Sequence, residues 1–227
     1  MNGALRSPDV VPGLNAFVDL SHHNIDVDLA QARDAGLVGV LHKATQGDAF
    51  VDPTYADRVR QARSLGLLVG AYHFCTDDDV PAQIQRFLDT VTQSGAAGVL
   101  PCIDWEPNPT PGQGTMSKAQ LVSFIDAFHQ RTDRFPVLYG GYWMLSALSD
   151  GSPSGSIGRC PLWQSFYSAS FGWLSDLWDR WTLLQYTDGT LGPAPHGFPG
   201  LGVVDRDTFN GTLEEAREFW RTHALPG

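Results

Sequence analysis

Leu67-Leu68-Val69-Gly70-Ala71-Tyr72-His73-Phe74 and Gly98-Val99-Leu100-Pro101-Cys102-Ile103-Asp104-Trp105, with Ile84, Phe87, Leu88 and Val91 between them, decide the fold. Both octets are apolar at nearly every position rather than at every second one. That is the pattern of a strand buried on both faces. The four residues between them fall at i, i+3, i+4 and i+7, one face of a helix. Strand, helix and strand in this order make a parallel pair joined by a crossover.

The alternation continues on both sides. Ala16–Leu20 and Leu37–Lys43 read as strands before it, and Asp28–Ala35 and Thr54–Leu65 as helices. Leu121, Phe124, Ile125 and Phe128 repeat the helical spacing after it, and Pro136–Gly141 reads as a fifth strand. Beyond about residue 150 the pattern changes. Three strand-like runs, Pro161–Tyr167, Trp181–Thr187 and Leu201–Asp205, follow with little helix between them, and Leu213–Trp220 is amphipathic. Eight strands predict one closed α/β barrel with a complete first half and a reduced second half; an open doubly wound sheet is the alternative. No G-x-G-x-x-G follows the first strand and no G-x-x-x-x-G-K is present, so nucleotide binding loses support.

Composition narrows the function. An apolar fraction of 42% with 18% charged residues is that of a folded domain, not a disordered chain. The net charge of −10 and the lack of any Lys/Arg cluster argue against a nucleic-acid partner. No apolar run approaches the roughly 20 residues of a membrane span. Cys75, Cys102 and Cys160 are too few and too far apart for a disulfide framework. Residues 1–15 show no apolar signal core and read as a tail before a barrel domain of residues 16–227. A monomer made in the cytoplasm without a visible signal peptide is expected.

The strongest chemical signal is Asp104-Trp105-Glu106. Two carboxylates at i and i+2 on a strand point to the same side. They stand at the C-terminal end of a buried strand, where barrel enzymes build their sites. Burial and like charge raise the pKa of at least one, which suits a general acid. Asp19 ends the first strand in the same way. Asp205 and Asp207 alternate near the end of the last, and closure would bring Asp19 and Asp205 together. A solvated pair or a turn aspartate is the ordinary alternative for each acid alone; their recurrence at strand ends is the argument. Aromatics recur at the same ends: Tyr72, Phe74, Trp105, Tyr139, Tyr142, Trp143, Trp163, Tyr167 and Tyr186. Flat sugar faces pack on such rings, and Gln185 can donate to a sugar hydroxyl or acetamide. His22-His23 with Asp19 and His73 could be imagined around a metal, but adjacent His side chains on extended backbone diverge and H-E-x-x-H is absent. No metal or other cofactor is expected. Cys102 is expected to pack inside the barrel.

These segments resemble glycoside hydrolase family 25, the Chalaropsis-type lysozymes or N-acetylmuramidases, over about residues 16–212. The resemblance rests on Phe17–Ser21 (FVDLS), His42–Gly47 (HKATQG), Asp52–Tyr55 (DPTY), Gly70–Phe74 (GAYHF) and Ile103–Glu106 (IDWE). It continues through Val137–Gly140 (VLYG), Pro161–Trp163 (PLW), Gln185–Gly189 (QYTDG) and Val204–Gly211 (VDRDTFNG). It implies an irregular TIM-like barrel, five β/α units followed by three strands. It also implies cleavage of the β-1,4 bond from N-acetylmuramic acid to N-acetylglucosamine in peptidoglycan.

By the same resemblance Glu106 is the general acid, Asp104 its partner, and Asp19 and Asp205 the other two acids of the site. Tyr72, Tyr139 and Gln185 fall on sugar-contacting positions; Phe74, Trp163 and Tyr186 are further candidates from their strand ends. Leu184, Gln46 and Asp207 depart from the family pattern, which often has tryptophan, glutamate and asparagine there. The implied partner is a peptidoglycan glycan strand, and the implied place of action is the cell wall, reached by lysis or a secretion system. A chitinase-type barrel is the first alternative, but it expects an acid where Cys102 stands. A catalytically inactive wall-glycan-binding barrel is the second, opposed by the presence of all four acids.

Overall fold

The computed structural model describes residues 11–168 and 176–226, so residues 1–10 of the expected tail lie outside the described residues. The first half is built as β1 (Leu14–Leu20), α1 (Leu29–Asp34), β2 (Gly39–Gln46), a short β3 (Phe50–Val51), α2 (Tyr55–Ser64), β4 (Leu68–Phe74) and α3 (Val80–Gln93). Then come β5 (Val99–Asp104), α4 (Lys118–Thr132), β6 (Val137–Gly140) and α5 (Tyr142–Leu148). The second half holds β7 (Leu162–Ser165), β8 (Leu183–Thr187), a small hairpin of β9 (Gly197–Phe198) and β10 (Gly202–Val203), β11 (Asp205–Phe209) and α6 (Leu213–His223).

Local chemistry sets the helix starts. Asp28 and Asp79 accept from the backbone N–H three residues on, and α4 and α6 open with capping boxes, Ser117 with Gln120 and Thr212 with Glu215.

The strand order is β1-β11-β8-β7-β6-β5-β4-β2, and β1 also pairs with β2, which closes the barrel. Five β/α units are followed by three barrel strands, as the sequence predicts, and the open-sheet alternative falls. Phe17, Leu41, Leu100, Cys102, Val137, Leu183 and Phe209 fill the interior. Helix residues such as Val59, Ile84, Phe87 and Phe124 pack on the outward positions Val40, Val69, Val99 and Ile103. Helix α6 plugs the end opposite the strand C-termini. Trp220 stacks on Phe17 with ring centroids 5.3 Å apart, and its indole N–H donates to the Val69 carbonyl at 2.9 Å. All three cysteines are free and buried.

One expectation is corrected. The last barrel strand is Asp205–Phe209, not Leu201–Asp205, and it runs antiparallel to both β1 and β8. The apolar residues Leu201 and Val204 belong to the outer core instead. The strand itself alternates, with Asp205, Asp207 and Phe209 on one face. Asp205 therefore begins the strand rather than ending it. It still reaches the same rim, because the start of an antiparallel strand lies beside the ends of parallel ones.

Candidate active site

At the rim formed by the C-terminal ends of the parallel strands, a cavity of about 210 Å³ is walled by nine residues. These are Asp19, Tyr72, Asp104, Glu106, Tyr139, Trp163, Tyr167, Gln185 and Asp205. Strand alternation puts them there. Asp104 faces in, Trp105 faces out, and Glu106 faces in again. The outward Trp105 anchors the motif: its indole N–H donates to the Met116 carbonyl at 2.7 Å, and its ring meets Trp143 edge-on at 5.0 Å. A larger hollow of about 750 Å³ lies along α6, lined by surface groups such as Arg180, Glu214 and Arg217. It has none of the buried acids of the rim, so the smaller cavity is the candidate site.

A hydrogen-bonded chain crosses the floor. Tyr139 Oη donates to Gln185 Oε1 at 2.8 Å, and Tyr167 Oη donates to the same oxygen. With that oxygen occupied, Gln185 Nε2 donates to Asp19 Oδ2 at 2.7 Å. Beneath, Trp163 Nε1 donates to Asp207 Oδ1 at 2.7 Å. Asp207 Oδ2 and Asp104 Oδ1 are buried with no N–H or O–H donor among the described residues.

The carboxyls respond to this crowding. Burial first, then Asp205 and Asp207, raise the pKa of Asp19 well above the usual range. Burial and the Glu106 charge do the same to Asp104. Burial raises Glu106, and the Lys43 ammonium partly opposes it. Asp205 is pushed up to about 6 and Asp207 to about 7, burial being the main cause in each. Contact with the Asp19 carboxyl partly offsets the rise in both. Burial also holds the Tyr72 and Tyr139 hydroxyls neutral, as donors.

Eight of the ten residues singled out from the sequence are therefore on one wall. Phe74 and Tyr186 are not. Lys43 covers the Phe74 ring, its Nζ 5.0 Å from the centroid. Tyr186 follows the inward Gln185, so alternation turns it outward, where its hydroxyl bonds Asn15 and the Pro195 carbonyl. Three more residues act on the site without an assigned role in the sequence reading: Tyr167, Asp207 and Lys43. Tyr167 was visible as a strand-end aromatic and Asp207 as an alternating acid. Lys43 stands within the HKATQG segment, but its place beside the acids depends on a bulge between Lys43 and Thr45.

His22 and His23 do not diverge as expected, their ring centroids lying 4.0 Å apart, but His73 is held elsewhere. His22 Nδ1 pairs with Asp52 Oδ2 at 2.8 Å, and His73 bonds Thr45 and Gln83. Burial lowers the pKa of His73 to about 4, so it stays neutral. Among the described residues no group of three or more His, Cys, Asp or Glu is arranged to hold a metal ion, and no helix is long and apolar enough to cross a membrane.

The family model for glycosyl hydrolases family 25 matches residues 18–192. Lysozyme M1 of Streptomyces globisporus is 27% identical over 209 residues, covering 86% of this chain and 67% of that protein. A solved muramidase from Acremonium alcalophilum is 28% identical with a TM-score of 0.72, covering 90% of this chain and 98% of that one. A bacterial lysozyme from Streptomyces coelicolor superimposes with a TM-score of 0.77 at 24% identity, covering 95% and 100%, and shares the fold.

Proposed function

The chain belongs to glycosyl hydrolase family 25, and from that membership we propose that the acid-lined cavity is where it cuts a peptidoglycan glycan strand. The protein is a glycoside hydrolase of the lysozyme type. The bond is the β-1,4 link from N-acetylmuramic acid to N-acetylglucosamine. The observation that carries the reading is the convergence of Asp104 and Glu106 with Asp19 and Asp205 on one cavity beside Tyr72, Tyr139 and Trp163.

In the proposed mechanism Glu106 gives its proton to the glycosidic oxygen as the bond to the anomeric carbon breaks. Burial raises its pKa, which favours the protonated form that a general acid needs. Asp104 accepts the acetamide N–H of the muramic acid and aims the acetamide oxygen at the anomeric carbon. An oxazolinium ion forms, Glu106 now takes a proton from water, and the water opens the ring with net retention. Asp104 and Glu106 come from one strand and approach one sugar face, which suits an internal nucleophile better than a water on the far face. Gln185, fixed by two tyrosines, holds Asp19 in place, and Tyr72, Tyr139 and Trp163 pack on the sugars.

The proposed catalytic unit spans residues 16–227 and acts as a monomer at the cell wall, delivered by lysis or a secretion system. Digestion of purified cell walls tests the function. Clearing of the suspension with muramitol after borohydride reduction is expected; glucosaminitol would make the enzyme a glucosaminidase. An intact fold with no clearing would leave a binding barrel.

A further inference from the structure

Next to the active-site cavity lies a second one of about 450 Å³, whose wall includes Lys43, His22, His23, Gln46, Asp48 and Asp78. Lys43 joins the two, since its charge also acts on Asp104 and Glu106. The second cavity has a different character. No tryptophan or tyrosine lines it, so it offers little surface for stacking a sugar.

At its Lys43 end, among the described residues, a cation stands with no carboxylate in direct contact. The ammonium is largely withdrawn from water, and that burial lowers its pKa. Its hydrogen bond goes to the neutral amide oxygen of Gln46, at 2.6 Å. The Phe50 and Phe74 rings sit 5.7 and 5.0 Å from Nζ. Asp104, Asp52 and Glu106 act on it only at longer range. A half-buried cation held by a neutral partner and two rings, facing a polar cavity, is a receptor for an anion. His22 and His23, with tilted rings 4.0 Å apart, add ring nitrogens to the same wall. Asp48 and Asp78 disfavour an anion at their own part of the wall, so the receptor is the Lys43 end.

We propose that the Lys43 end of this second cavity binds a carboxylate that the substrate carries on the lactyl arm of muramic acid. The inference rests on the muramidase reading and extends it. That arm is what distinguishes muramic acid from glucosamine. It bears a free carboxylate where no peptide is attached, and an acidic peptide where one is. Both sources present the same group. Gln46 leaves Lys43 available, and a glutamate at position 46 would occupy it.

Calorimetric titration of the Glu106→Gln protein tests this without turnover. The probes are a tetrasaccharide of alternating N-acetylglucosamine and N-acetylmuramic acid, its lactyl methyl ester, and the same unit extended by L-Ala-D-Glu. The free acid or the dipeptide form should bind about tenfold tighter than the ester, equal to about 1.4 kcal/mol. Whichever form binds tighter identifies the source. Adding Gln46→Glu should bring the affinities together, and Lys43→Met serves if that variant does not fold. Equal affinity of all three probes in the Gln46 protein, or a preference that survives both substitutions, overturns the site. Failure of wild type to clear cell walls overturns the muramidase reading instead, and the binding comparison still decides the carboxylate site.

Discussion

Asp19 and Asp205 stand directly opposite each other across the antiparallel β1–β11 pair, and Asp207 lies on the same face two residues further along β11. Three carboxyls thus share a small buried volume, and Asp207 Oδ2 has no N–H or O–H donor among the described residues. Repulsion and burial favour the protonated form of these acids. The cost appears in the pH dependence of stability. In the folded state burial pushes Asp205 up to about 6 and Asp207 to about 7, above the ordinary aspartate range. A raised carboxyl pKa means the folded state holds protons that the unfolded state has released, so stability falls as pH rises between about 4 and 7. Denaturant unfolding at pH 5 and pH 8 should show a loss on the order of a few kcal/mol. Asp207→Asn should flatten the profile, since the amide can accept from Trp163 and donate to Asp19. An unchanged slope in that variant would place the shared proton elsewhere.

Glu106→Gln should lower kcat on cell walls by about 10²–10⁴ while leaving the unfolding transition in place. The amide keeps the shape and cannot deliver a proton. In wild type the alkaline limb of the pH–rate profile should report loss of the Glu106 proton. Lys43→Met should move that limb upward, because Lys43 lowers the Glu106 pKa. A rate still rising above about pH 9 would contradict the assignment.

Gln185→Leu should cost about 2–4 kcal/mol of stability, because it leaves the buried Tyr139 hydroxyl without its acceptor and Asp19 without its donor. Tyr139→Phe should cost only about 1 kcal/mol, since Tyr167 still donates to Gln185. Thermal unfolding of the two variants side by side makes the comparison. Equal losses would mean that the chain from tyrosine to Asp19 is not held through Gln185.

The first sugar product released should have the β anomeric configuration, visible by proton NMR before mutarotation. Removing the N-acetyl group from muramic acid should slow cleavage strongly. An α product would indicate direct attack by water, with Asp19 or Asp205 placing it. An unchanged rate on the de-N-acetylated strand would eliminate acetamide participation.

Trp220→Ala should destabilise the barrel by about 3–5 kcal/mol, the usual range for a fully packed tryptophan. It removes the ring stacked on Phe17 and the hydrogen bond to Val69 at the closed end. Because that end is opposite the acids, kcat of the folded fraction should stay near wild type. A selective loss of kcat would show that the plug is coupled to the rim.

The amino-acid sequence by itself determined the run of β/α units and one side of the site, while closure into a barrel rests on the pairing of β1 with β2. Short unbroken apolar runs such as Val99–Ile103 fit strands covered on both faces, and the helical spacing between them fits parallel crossovers. The two-residue period then makes Asp104 and Glu106 neighbours on the inner face without any knowledge of the rest. Tertiary structure decided what depends on strands far apart in the chain. The direction of β11 follows from its pairing with β1 and β8, so no local pattern announces that Asp205 begins a strand. The fate of Lys43 depends on a bulge and on Gln46, Phe50 and Phe74 closing around it. Tyr186 shares its strand with Gln185 and lies one residue away, yet alternation sends one into the cavity and the other to Asn15. Which acids share protons is likewise decided by tertiary distance. Carboxyls separated by some 180 residues along the chain become a single titrating group only when closure of the barrel excludes water from between them.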